Sequence, residues 1–253
     1  MAESISDIKT EFKDLKDSEY SAFIDKYSSD DRSGVIQLVA KAQKAIEKNN
    51  AEIERTERML SYERQYSSYS SICGIDEAGR GPLAGPVVAG AVILPKDDKI
   101  LYLNDSKQLS AAKREELFDI IYERAVAVGV GIIDHKRIDE INILQATYEA
   151  MRMAIMNLKV QPDILLNDAV TIPGIDIPQV PIIKGDAKSC SIAAASIIAK
   201  VTRDRIMTEM DEKYPGYAFA SNKGYGSDKR HTDALKALGP CPIHRRTFIK
   251  NFI

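Results

Sequence analysis

Residues 72–86 read ICGIDEAGRGPLAGP, and the acids Asp76 and Glu77 close an apolar run. A carboxylate in such a run is costly to bury unless it is paired, hydrogen-bonded or bound to metal. An isolated Asp-Glu pair would most simply cap a turn at a strand end, but here Gly79, Arg80 and Gly81 follow. Glycine lets a backbone amide approach a ligand where a Cβ would collide, and it permits positive φ. Arginine offers a planar donor fork to a phosphate. Acids suited to a metal, bare amides and a phosphate clamp within the six residues 76–81 point to phosphodiester chemistry. The same glycines do not make a dinucleotide-binding turn. Their spacing is GxGxxxG rather than GxGxxG, and Pro82 and Pro86 interrupt the helix such a turn requires. Neighbouring side chains on a regular strand face opposite ways, so the strand must bend or end near Glu77 if both acids serve one site.

A second cluster runs IIKGDAKSCSIAAASIIAKVTRD over residues 182–204. Asp186 follows an apolar strand and precedes a helix start, with Lys188 and Ser189 beside it. A helix N-terminus exposes free amides and a partial positive charge, which suits a phosphate. For Asp186, an N-terminal cap is the rival role. The stretch IAAAS at 192–196 is small enough to press closely on a sheet. Asp168 closes the strand DILLN and Asp163 opens it. Acids at strand exits can converge in space while strand entries face away, which favours Asp168 over Asp163.

The surrounding elements must position these groups. Apolar runs at 71–76, 87–94 and 127–134 predict buried strands, with shorter ones at 163–167 and 180–183. Helices are expected over 113–125 (capped by Ser110), 142–158, 189–213 and 228–238. Strands first, then alternating helices and strands, imply an α/β domain with a mixed sheet flanked by helices. Residues 1–70 differ, with no proline and one glycine, Gly34. Ile5, Ile8, Phe12 and Leu15 recur at helical spacing, and a long helix is expected over 35–66 with Ser33 as its cap. The expected organisation is a helical extension at 1–70, an α/β domain at 71–253 and a C-terminal helical segment within it.

Composition sets limits on partners. The chain carries 35 Lys and Arg against 37 Asp and Glu, so a nucleic acid would have to be held by a local basic patch. Cys73, Cys190 and Cys241 are far apart and suggest neither a disulfide framework nor a zinc site. No run approaches the ~18 apolar residues needed to span a membrane, and the first residues lack the apolar core of a signal peptide. A cytoplasmic protein without membrane contact is the expectation.

Taken together, the segments GIDEAGRGPLAGPVVAGAVIL at 74–94, NDSKQLS at 104–110, KGDAKS at 184–189 with SIAAASIIAKVTRDR at 191–205, NKGYG at 222–226 and HRRTF at 244–248 resemble the ribonuclease HII (type 2 ribonuclease H) family. The resemblance covers residues 71 to about 250, and the helical extension is similar to that of Gram-positive members. It implies a ribonuclease H-like fold in which Asp76, Glu77, Asp168 and Asp186 hold two divalent ions, Mg²⁺ or Mn²⁺. It further implies that Gly79, Arg80, Gly81 and Tyr225 read an RNA-to-DNA junction, through the 2′-hydroxyl and by stacking on the next deoxyribose. Lys107, Lys184, Lys188, Ser189 and Lys223 are candidate substrate contacts. The implied partners are RNA/DNA hybrids and ribonucleotide-containing duplex DNA, and the chain is expected to act as a monomer. Oxygen ligands suit such ions, so His135, His231 and His244 are not needed as ligands. Asn167 stands where the family carries an aliphatic residue, and residues 224–231 hold one residue more than its usual spacing. A junction resolvase or a type 3 ribonuclease H would share the fold, but Gly-Arg-Gly and Tyr225 fit the type 2 pattern. A non-catalytic binding module is disfavoured because four unneutralised carboxylates would repel a phosphate.

Overall fold

The two apolar runs that flank Gly-Arg-Gly form adjacent antiparallel strands, β1 (Ile72–Ala78) and β2 (Val87–Ile93), in a computed structural model that describes residues 3–252. β3 (Ala127–Ile133) lies antiparallel to β2, while β4 (Ile164–Asp168) and β5 (Gln179–Ile182) extend the sheet in parallel from β1. The order β3-β2-β1-β4-β5 places β1 at the centre of the mixed sheet. β1, β4 and β5 run the same way, so their C-terminal ends open on one edge, where Asp76 and Asp168 sit.

Helices cover both faces, as runs of buried small and branched residues require. On one face, α6 (His135–Met156) packs Ala146, Ala150, Met151 and Ala154 against Cys73, Ile75 and Ala89. On the other, α7 (Cys190–Lys213) and α5 (Ala111–Arg124) bury Ala194, Ala195, Ile198, Leu117 and Ile121 with Val92. The approach of α7 depends on Gly74 and Gly90, where a Cβ would overlap the backbone of Ser191 and of Ala195. Short helices α8 (Phe219–Asn222) and α9 (Lys229–Leu238) make up the C-terminal helical segment.

The chain divides into two compact units, the smaller ending at Glu57 and the larger starting at Arg58. In the smaller, α1 (Ile5–Asp14), α2 (Tyr20–Tyr27) and all but the last two residues of α3 (Ser33–Met59) bury Ile8, Phe23, Tyr27, Val35, Leu38 and Ala42 together. Within the larger, Met59 and Leu60 join the α5–α7 core, and α4 (Ser61–Gln65) brings Tyr62 onto a cluster with Ile72, Ile164 and Ile192.

Several expectations shift. The long helix stops at Met59, the chain turns at Leu60 (φ −76°, ψ 0°), and α4 is a separate piece. The turn follows tertiary packing, since Met59 and Leu60 are both 3% exposed. Ser33 lies inside α3 rather than capping it, and the Arg32 carbonyl accepts from Ile36 N at 3.0 Å. The helix expected from 142 is preceded by a further segment from His135, capped by Asp134, whose Oδ1 accepts from Arg137 N at 2.8 Å. Asn142 separates the two (φ 67°, ψ 165°), and its Oδ1 accepts from the Leu144 and Gln145 amides. Ser110 caps α5 as expected, accepting from Lys113 N. Asn167 is fully buried, and its Nδ2 donates to Gln179 Oε1 at 2.8 Å and to Val170 O at 3.1 Å.

Candidate active site

Three of the expected acids meet at the strand ends. Asp76 comes from β1, Asp168 is the last residue of β4, and Asp186 lies in the 3₁₀ turn Gly185–Ala187 that follows β5. One carboxylate oxygen from each lies within 4.8 Å of the others. Local hydrogen bonds aim them. Asp76 Oδ1 accepts from Glu77 N at 2.7 Å, and Asp168 Oδ1 accepts from Gly185 N at 2.7 Å, which ties β4 to the turn carrying Asp186. Glu77 stands apart from this triple, and its Oε1 accepts from Arg80 Nη1 at 3.1 Å. Asp163 lies outside β4, where its carboxylate accepts from the Ser70 and Ser71 amides.

Burial, then the charges of Glu77 and Asp168, push the Asp76 carboxyl well above the usual carboxylate range. Glu77 is raised by burial against the opposing pull of Arg80. Burial, then Asp105 and Asp168, raise Asp186, with Lys107 opposing. Convergent oxygens that resist ionisation beside one another suit a hard divalent cation, which neutralises them and accepts oxygen ligands. The residues present fit such an ion.

Around the acids, Glu77, Arg80, Gly81, Lys107, Lys200 and Tyr225 line one cleft. Lys107 reaches it from the 3₁₀ turn Ser106–Gln108, which Asp105 caps by accepting from Lys107 N at 2.9 Å. The two glycines divide their labour. At Gly79 (φ +96°) a Cβ would overlap the Arg203 side chain, so this glycine serves packing and backbone path. Gly81 is exposed, and the nearest atom to a Cβ there would be Tyr225 Cε1 at 4.0 Å, which leaves room for a ligand. Lys184 (φ +57°) and Lys188 are exposed beside the Asp186 turn. Lys223 is half-buried, and its Nζ donates to Thr208 Oγ1 at 2.8 Å.

Ser189 requires correction as a substrate contact. It is fully buried as the cap of α7, where its Oγ accepts from Ile192 N and donates to Glu63 Oε1 at 2.6 Å. Lys200 escaped the sequence reading because it sits in a motif dominated by core residues. Its pairing with Asp204 one turn on, at 2.7 Å, lies on a largely covered strip of α7 where both residues line a groove. Arg203 and Arg245 were likewise missed. Both are fully buried, and Arg245 lies in the HRRTF segment at 244–248.

His231 and His244 form a buried pair behind Tyr225 with Nε2 atoms 3.0 Å apart. The Tyr225 carbonyl lies 3.1 Å from His231 Nδ1 and can only accept, so that nitrogen carries the hydrogen. In the neutral ring, His231 Nε2 then accepts from His244 Nε2, and His244 Nδ1 accepts from Cys241 N at 3.0 Å. Burial holds both below the usual histidine range, His244 at about 4. A base whose folded-state pKa is lowered contributes stability that is complete above the unfolded value near 6.5 and lost as pH falls below it. Melting temperature should therefore drop more between pH 7.5 and 5.5 in the native chain than in a His244→Gln variant. Equal drops would show that the pair does not titrate on unfolding.

A central β1 that supplies one acid of the triple, parallel neighbours bringing two more to the same edge, and a cleft lined by basic side chains define a metal-dependent nuclease of the ribonuclease H class. Sequence comparison narrows this further. Residues 73–251 match the family model "Ribonuclease HII" and residues 4–67 match "Ribonuclease HII N-terminal domain". The chain belongs to the ribonuclease HII family. It is 62% identical over 247 residues to the Ribonuclease HII of Lachnoclostridium phytofermentans, covering 98% of this chain and 97% of that one. With the Ribonuclease HII of Clostridioides difficile it shares 52% over 252 residues, covering 99% and 98%. Among solved structures, the ribonuclease H2 from Pyrococcus horikoshii matches with a TM-score of 0.60 at 33% identity, over 70% of this chain and 93% of that one. The RNase HII in a PCNA complex from Archaeoglobus fulgidus matches with a TM-score of 0.62 at 29% identity, over 72% and 96%. The chain is an enzyme, a metal-dependent endoribonuclease of the class that acts on RNA/DNA hybrids. Among the described residues, no helix is long and apolar enough to cross a membrane.

Proposed function

We propose that this enzyme cuts duplex DNA on the 5′ side of an embedded ribonucleotide, as well as the RNA strand of hybrids, leaving 3′-hydroxyl and 5′-phosphate ends. The observation that carries the reading is the shared cleft. Glu77, Arg80, Gly81 and Tyr225 line it, and the Asp76–Asp168–Asp186 triple lies at the adjoining strand ends. Asp76, Asp168 and Asp186, with Glu77 released from Arg80, would hold two Mg²⁺ or Mn²⁺ ions. When bound, such ions activate a water and stabilise the leaving oxygen of a phosphodiester. The chain's own groups bind and orient. Arg80 and Lys107 offer donors to backbone phosphates, and exposed Lys184 and Lys188 extend that positive edge. Lys223 flanks Tyr225 and fits a phosphate on the DNA side. Tyr225 offers a ring face to the deoxyribose after the junction.

The test compares four labelled duplexes, each in Mg²⁺ and in Mn²⁺: all-DNA, one embedded ribonucleotide, an RNA/DNA hybrid and all-RNA. Cleavage is expected at the embedded ribonucleotide and along the hybrid. Cutting of the all-DNA duplex at a similar rate would replace this reading with a general nuclease.

We further propose that residues 1–70 act as a substrate-binding extension to a catalytic part at 71–253. Deleting them should leave the chemistry intact and weaken duplex binding most at low salt, with the difference shrinking as salt rises, because the lost phosphate contacts are the ones counterions screen. A shorter deletion, of residues 1–57, keeps Met59, Leu60 and Tyr62 in their clusters. Losing buried Leu or Met side chains costs about 2–5 kcal/mol each, so the 71–253 fragment should melt several degrees below the 58–253 fragment. Equal melting temperatures would show that residues 58–70 add nothing to the core.

A further inference from the structure

Arg203 and Arg245 are both fully buried, yet among the described residues neither pairs with a carboxylate. Asp204 and Asp139 influence them only from a distance, and the charge of Arg203 itself bears on Arg245. Two like charges buried side by side are expensive, and a need for bulk alone would be met more cheaply by apolar side chains. Their donors are spent on backbone carbonyls instead. Arg245 donates through Nε to Gly85 O at 3.0 Å, through Nη1 to Arg80 O at 2.9 Å, and through Nη2 to Gly79 O at 2.6 Å and Pro86 O at 3.1 Å. Arg203 donates through Nε to Pro86 O at 2.9 Å, through Nη1 to Lys223 O at 2.9 Å, and through Nη2 to Ala84 O at 3.1 Å.

These bonds fix which way the peptide planes face. In a trans peptide the carbonyl of one residue and the N–H of the next point in opposite directions. With the Gly79 and Arg80 carbonyls drawn inward to Arg245, the Arg80 and Gly81 amides are turned away from the interior. No hydrogen bond from either amide is found among the described residues. Both residues are exposed and line the cleft. Arg203 ties the same frame to the tyrosine loop, since it holds the Lys223 carbonyl and its guanidinium carbon lies 5.7 Å from the Tyr225 ring centroid.

We propose that Arg245, braced by Arg203, is a positioning residue for substrate reading. By holding the Gly79 and Arg80 carbonyls it presents the Arg80 and Gly81 amides as a paired donor to the ribose 2′-hydroxyl, and Arg203 sets the Tyr225 ring against that pair. The inference rests on the proposed reading of an embedded ribonucleotide. It assigns to two arginines distant in sequence from Gly-Arg-Gly the orientation of that segment.

Arg245→Lys tests it in the full chain, because lysine keeps the charge and loses the fork that spans several carbonyls. The readout is ribose preference, the ratio of Kd for an all-DNA duplex to Kd for the same duplex with one ribonucleotide, measured in Ca²⁺. The native enzyme should prefer the ribonucleotide by about tenfold or more, as loss of a hydrogen bond from a committed donor pair implies. Arg245→Lys should bring the ratio close to one, while Kd for the all-DNA duplex and Mn²⁺ affinity of the free protein stay within about twofold. Arg203→Lys should reduce the ratio in the same direction and decides the matter if Arg245→Lys does not fold. A variant that folds and keeps the native ratio would overturn the role of the arginines while leaving the ribonucleotide reading intact. A native enzyme with no ribose preference would overturn that reading, and this inference with it.

Discussion

Asp76→Asn is expected to fold and to bind duplex, yet to cleave a hybrid at least about a hundredfold more slowly than the native enzyme. Changes to groups that only support a metal ligand typically cost 10–100-fold, so loss of a direct ligand should reach or exceed that range. The variant should fold because asparagine retains an oxygen in place of the Asp76 Oδ1 that accepts the Glu77 amide at 2.7 Å. It should also gain stability when metal is absent. Asp76 is buried and its carboxyl is held well above the ordinary range, chiefly by that burial. An acid with a raised folded-state pKa imposes no penalty at low pH, where it is protonated in both states, and an increasing one as pH climbs above its unfolded value. The melting temperature of metal-free Asp76→Asn should therefore exceed that of the native chain by a margin that widens from pH 5 to pH 8. Saturating Mn²⁺ should reverse the order. Near-normal turnover by the variant would remove Asp76 from the metal site. A margin that does not change with pH would show that its ionisation is not what burial opposes.

Tyr225→Ala should lose selectivity and rate together while Mn²⁺ affinity stays unchanged. Stacking of a base on an aromatic ring is worth about 1–3 kcal/mol by alanine substitution, and a deoxyribose, which lacks a π-face, should sit near the lower end, roughly fivefold in rate. Tyr225 is well placed for this, with the Gly81 approach on one side and the charges of Lys200 and Arg203 at 5.8 and 5.7 Å from its centroid. Tyr225→Phe keeps the ring and should retain most of the activity on a single embedded ribonucleotide. The measurement is single-turnover cleavage of that duplex beside a uniform hybrid. If the alanine variant slows both substrates equally and the phenylalanine variant fares no better, the ring plays no part in reading the junction.

Much of this architecture is legible in the sequence because the determinants are local. The strands announce themselves as short apolar runs, Ser110 as a cap, and the acids as polar interruptions at strand exits. The approach of α7 could be read from IAAAS, since small residues are what a close helix–sheet contact requires. What escaped depends on partners far along the chain. The long amphipathic pattern continues past residue 60, and only the burial of Met59 and Leu60 in a distant core explains the turn there. Ser189 looked like a phosphate contact at a helix start until Glu63, 126 residues earlier, proved to take its hydroxyl. Arg203 and Arg245 bear charge, so a pattern reading assigns them to the surface. Their partners are carbonyls, which every residue has and no sequence distinguishes.

The glycines beneath α7 carry a consequence for the acids. Gly74 lies two residues before Asp76 on β1, and Asp186 lies four residues before the first residue of α7. Because the backbone of Ser191 rests where a Gly74 side chain would be, the hydrogen atom of one glycine acts as a shim between two components of the site. The gauge of the acidic cage is thus set by the thickness of the sheet–helix joint. A single methyl inserted at Gly74 would pry that joint apart, and the resulting fault would register in ion affinity at a place the methyl never touches.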